Sequence, residues 1–173
     1  MASSTFASEQ ASEIDPVHVF NEVCYSKVPV VDAIREMATR LAWNPISGDD
    51  LKRFTALQDP DLLEGWDMQV GERLFRLGVV QSPPARGMAK TFPDFANGTA
   101  TSCTLILDGQ DDPDSLAVRM QALAGKDPES RDVPDGSLNT TTWAGGNADF
   151  KVFLFSKLDA IGGGLLNVTI LAK

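Results

Sequence analysis

The side chains with the clearest capacity for acid–base or metal chemistry are the single histidine, His18, and a run of four carboxylates, Asp108, Asp111, Asp112 and Asp114. His18 lies between Val17 and Val19 with no acid or nucleophile at a patterned spacing, and no Gly-x-Ser-x-Gly elbow presents a serine. An enzymatic reading therefore rests on the fold bringing His18 to Asp94, Asp108 or Asp111. The carboxylate run offers oxygen ligands to a hard cation such as calcium, but not at EF-hand spacing. Asp112 and Asp114 have a simpler use at a helix start, where acids complement the partial positive charge. No catalytic residue, metal site or cofactor is assigned from these residues.

The glycine pairs and triplets at 145–146 and 162–164 lack the following Lys-Ser/Thr or helix start that a phosphate cradle requires, and read as turns. Aromatic side chains offer large, rigid contact area to a ligand. Trp66, Phe92, Phe95 and Trp143 are the candidates, because several aromatics flank the Pro- and Gly-rich stretch 81–98. Cys24 and Cys103 have no Cys or His neighbours at zinc spacing. Both fall on expected apolar faces, which leaves open a bridge or two inert buried thiols. Asn97, Asn139 and Asn167 each begin a glycosylation sequon, a pattern too common to carry an inference.

The elements that position these residues follow from periodicity. Residues 1–14 show no sustained pattern and read as a flexible lead-in, with one α+β domain over 15–173. Asp15 followed by Pro16 is a helix start, and Val17, Phe20 and Cys24 recur on one face of that helix. A second helix is expected from about Pro29 to Trp43, with Val31, Ile34, Met37, Ala38 and Leu41 as its apolar stripe. Ser47 and Asp50 resemble a capping box for a third helix carrying Leu51, Phe54 and Leu57. Residues 66–70 and 73–80 read as a hairpin, and 81–98 as an irregular connection.

Thr101, Cys103, Leu105 and Leu107 then alternate along a strand over 99–107. Asp112, Pro113 and Gly125 bracket a further helix with Leu116, Met120 and Leu123 inward. Three strands follow, at 138–144, 150–157 and 165–172. The expected fold is α+β: N-terminal helices, then an antiparallel sheet of about six strands interrupted by one helix (βββ-α-βββ), with the helices on one face.

The chain of 173 residues is acidic, with a formal net charge of −9, which argues against a nucleic-acid backbone or an anionic membrane surface as partner. No apolar run is long enough to span a bilayer. The opening residues lack the basic and apolar segments of a signal peptide, as in a cytosolic protein or a mature form. Phe20 and Cys24 four residues apart, Met37-Ala38 leading into Ala42-Trp43, and Thr101-Ser102-Cys103 entering a strand resemble small uncharacterised exported bacterial proteins. That resemblance implies a periplasmic or secreted domain with a helix-to-strand disulfide between Cys24 and Cys103, and no activity. The expected function is a non-enzymatic cell-envelope domain that binds a small molecule or a protein. The alternatives are a cytoplasmic enzyme using His18 with a nearby Asp, and a homo-oligomeric structural module such as a homodimer.

Overall fold

A computed structural model describes residues 14–173; the expected lead-in, apart from Ile14, lies outside them. Asp15 accepts a hydrogen bond from the Val17 amide at 2.9 Å and starts helix α1, Pro16–Phe20, which runs straight into a π-helical turn, Asn21–Tyr25. Helix α2 is Val31–Arg40, with Val31, Ile34, Met37 and Ala38 of the expected stripe buried, while Leu41 follows the helix end and is exposed. Helix α4, Pro113–Ala124, has the expected Asp112 cap and a left-handed Gly125 at its end.

The sheet is antiparallel throughout but has eight strands, two more than expected. In chain order they are β1 Asn44–Pro45, β2 Leu62–Val70, β3 Arg73–Ser82, β4 Thr99–Asp108, β5 Ser130–Asp135, β6 Leu138–Gly146, β7 Phe150–Leu158 and β8 Gly163–Ala172. Their spatial order is β1-β2-β3-β4-β8-β7-β6-β5, so the last strand occupies the middle. The two additional strands are the sheet's edges. β1 is too short for any period to show, and β5 is mostly polar and contains Pro134, which an edge strand tolerates.

Two further expectations are corrected. The third helix is a 3-10 segment, Gly48–Phe54, in which the Ser47 side chain makes no capping bond. The 81–98 connection contains a short helix, α3 Arg86–Thr91, and a 3-10 turn, Pro93–Phe95.

Strand alternation assigns the faces. Trp66, Leu77, Leu105, Leu166, Ser156 and Thr141 share one face; the buried residues of α1, α2 and α4 join its apolar members in a continuous core. There Cys24, on the π-helical turn, is bonded to Cys103 on β4, with Cα atoms 5.5 Å apart and both residues fully buried. A disulfide, helix to strand, therefore fastens the N-terminal helix to the sheet.

The helices are not confined to that face. On the opposite side the Phe54 ring lies directly over Gly78, while Ile46 and Leu51 lie over its cross-strand neighbour Gly65. Phe92, just after α3, meets Phe153 of β7 on the same side, with ring centroids 5.7 Å apart. The capping signal at Ser47 favoured a helix carrying Leu51, Phe54 and Leu57, but Phe54 approaches the sheet this closely only because Gly78 beneath it lacks a Cβ.

Two predictions follow from this packing. The bond joins residues 79 apart in sequence, and a cross-link of that length stabilises by about 4 to 5 kcal/mol in the chain-entropy account. Replacing both cysteines by Ala should lower unfolding stability by that order in urea titration. Retention of full stability would show that the bond does not constrain the unfolded chain. Gly78→Ala would place its methyl 2.1 Å from the Phe54 ring. The expected cost is about 1 to 3 kcal/mol, partly recovered when Phe54 is also changed to Ala, as a thermal-melt comparison would show.

Candidate functional site

The fold separates the titratable candidates. His18 is 73% exposed on α1, and its nearest acid is Glu22 at 3.9 Å. Asp94 is exposed on the 3-10 turn after α3. Asp108 and Asp111 are both held by Arg73, whose Nε donates to Asp108 Oδ2 at 2.8 Å and whose Nη2 donates to Asp108 Oδ1 at 3.0 Å and to Asp111 Oδ2. No hydrogen bond among the described residues links His18 to these acids.

Arg73 is 15% exposed and its partners 9% and 6%. Its guanidinium also lies over the Phe75 ring, 4.8 Å from the centroid. Burial disfavours the guanidinium charge, yet the bonds to Asp108 and Asp111 outweigh it and hold its pKa above the ordinary arginine value. This cluster ties the β2–β3 turn to the loop before α4. Asp112 is spent on the α4 cap, accepting from Ser115 N at 2.8 Å. No group of three His, Cys, Asp or Glu among the described residues is placed to hold a metal ion.

The four aromatic candidates divide in two. Phe92 and Phe95 come together on the second face, where Lys151 and Lys173 lie 5.8 and 5.4 Å from the Phe95 ring. Trp66 and Trp143 are buried on the helix-covered face, in β2 and β6, with four strands between them.

A groove of about 590 Å³ runs between α4 and strands β5–β7. One wall is Pro113, Asp114, Ala117, Val118 and Gln121 of α4; the other includes Arg131, Asp132, Asn139, Thr141, Ser156 and Leu158. Thr141 and Ser156 are direct cross-strand partners, 4% and 2% exposed. They occupy core-facing positions where the central strands carry Leu, Val and Phe. Buried polar side chains on an apolar face are the informative departure.

The backbone is shaped to meet them. β5 slips its register between Ser130 and Val133, and Asp132 adopts a left-handed φ of 49°, which directs its amide to Thr141 Oγ1 at 3.1 Å. Bulges and left-handed non-glycine residues of this kind gather where a side chain must be re-aimed. Arg131 donates to Gln121 Oε1 at 2.8 Å across the groove, and Asp159 closes its end, accepting from the Ile161 and Gly163 amides.

Of these groove residues only Asp114 was singled out as a ligand contact from the sequence, as one of the carboxylates that could offer oxygen to a cation. β5 has no readable alternation, so Asp132 had no place in a strand. The usable signal was the polar Asn139, Thr141 and Ser156 at inward positions of β6 and β7.

No family model, no curated protein and no solved structure matches the chain.

The Arg73 cluster yields a prediction about stability. Arg73→Met leaves two nearly buried carboxylates without their cation and should cost about 3 kcal/mol or more in chemical denaturation. Adding Asp108→Asn and Asp111→Asn should restore part of that loss. An unchanged midpoint for Arg73→Met would show that the cluster is held together by the backbone alone.

Proposed function

We propose that this protein is a non-enzymatic, exported binding domain that takes a small molecule into the groove between α4 and β5–β7. The observation that carries the reading is the Thr141–Ser156 pair, two buried hydroxyls on a mainly apolar face at the floor of this groove. Ligand sites combine apolar walls with a few placed polar groups. Ala117, Val118 and Leu158 supply the first here, and Thr141, Ser156 and Asn139 the second.

Export to the periplasm or beyond is supported by the buried disulfide, since such bonds persist in oxidising compartments. No described helix is long and apolar enough to cross a membrane. His18 faces solvent with Glu22 at 3.9 Å, and no hydrogen bond among the described residues links it to Asp94, Asp108 or Asp111, which favours binding over catalysis.

A second reading, a protein partner or a second copy, is favoured by the uncovered middle of the other face. There Ile106, Phe155 and Leu165 are half-exposed around a hydrogen-bonded cluster of Ser102, Thr104, Asn167 and Thr169. Phe92 and Phe95 border that face.

A chemical-shift screen with a panel of small polar molecules separates the two readings. Hits should map to Ala117, Asp132, Thr141 and Ser156, and Ala117→Trp, which fills the groove from the helix side, should abolish them without unfolding the chain. Hits confined to the second face, or unchanged binding to Ala117→Trp, would overturn the groove reading.

A further inference from the structure

We infer that the groove selects an organic cation, an aliphatic amine anchored by Asp132; this deepens the proposed function and rests on it. Four charged side chains line the groove: Asp114, Asp132, Asp159 and Arg131. Three are negative, and the single positive group, Arg131, has its guanidinium engaged by Gln121 on the opposite wall. A bound anion would meet three carboxylates in a chain whose overall charge is already −9.

The carboxylates alone would say little, because acids on a helix start and in a turn are ordinary. The second observation is Ser156. It is 98% buried on the groove floor, and its hydroxyl takes no part in the side-chain hydrogen bonds of the described residues. Its oxygen is not one of the enclosed atoms without a partner, which among the described residues are Trp43 Nε1, Thr140 Oγ1 and Trp143 Nε1, and it stays open to the groove. A ligand on the groove floor can supply the bond that no side chain provides.

The arrangement suits an ammonium group. An ammonium carries three donors and no acceptor, and the groove offers the Asp132 carboxylate with the Ser156 and Thr141 oxygens beside it. A bare metal ion is a poorer occupant, since a hard cation needs six or more oxygens and no three-acid cluster is assembled among the described residues. The aliphatic walls of Ala117, Val118 and Leu158 would take the hydrocarbon chain.

The probes are 1,4-diaminobutane and its neutral counterpart 1,4-butanediol, titrated into the full chain by calorimetry and by amide chemical shifts. The diamine should bind at least about tenfold more tightly than the diol, the value of one charge-assisted hydrogen bond. Its shifts should centre on Asp132, Thr141 and Ser156. Asp132→Asn, whose side chain tolerates the same left-handed backbone, should remove that preference while leaving the spectrum outside the groove unchanged. Ser156→Ala should weaken the diamine without changing its preference over the diol.

Equal affinity for the two probes, or a preference that survives Asp132→Asn, would overturn the cation assignment while leaving the groove as the binding site. The same holds if succinate binds there more tightly than the diamine. Shifts mapping to the second face would overturn both readings.

Discussion

The pairing of β4 with β8 is the constraint on which the rest of the molecule depends. It runs unbroken from Thr99↔Ala172 to Asp108↔Gly163, and it is the only hydrogen-bonded seam between strands β1–β4 and strands β5–β8. Because β8 comes last, the second half of the sheet must be laid down from the far edge inward. The chain leaving β4 has to travel to β5 before it can return strand by strand. Helix α4 is that crossing. It buries Leu116 and Met120 against the sheet while its other side faces β5–β7 at a distance that leaves the groove open. The candidate site is thus a product of the strand order and needs no loop insertion to create it.

A seam formed so late in the chain benefits from a brace that does not depend on it. The Cys24–Cys103 bond supplies one, joining the first helix to β4 inside the core. Arg73 supplies another at the end of the seam, where Asp108 pairs with Gly163 in the ladder and with Arg73 through its side chain. Burial of that ion cluster costs solvation, and the fork geometry of the guanidinium on two carboxylates offsets the cost. The carboxylates most suggestive of chemistry in the sequence are consequently engaged in holding strands and a helix start together.

Legibility followed the strength of the local pattern. The Asp15-Pro16 and Asp112-Pro113 starts, the inward stripe of α2 and the alternation around Cys103 all appear where periodicity and capping place them, because each element buries one face against the same core. The edge strands β1 and β5 left no such trace, since an edge bonded on one side tolerates polar residues and proline. The position of β8 was invisible for a different reason. Alternation reports which side of a strand is buried, and carries no information on which strand lies next to it. The groove inherits both gaps, for it is bounded by β5 and shaped by the route that α4 must take.

The same reasoning explains why Trp66 and Trp143 stood out in the sequence and yet do not converge. Large aromatics are conspicuous in composition, but here they fill the core under the helices. Thr141 and Ser156 are small and unremarkable in a sequence rich in hydroxyls, and become informative only once their strands' inward face is known. Val or Ala at either position would complete an apolar face at no hydrogen-bonding cost. Thr141 is partly answered by the Asp132 amide, at the expense of a register slip and a left-handed aspartate in β5. A backbone distorted to serve one buried hydroxyl, beside a second whose oxygen opens on the groove without a side-chain partner, is the arrangement expected where the remaining partner arrives from outside the chain.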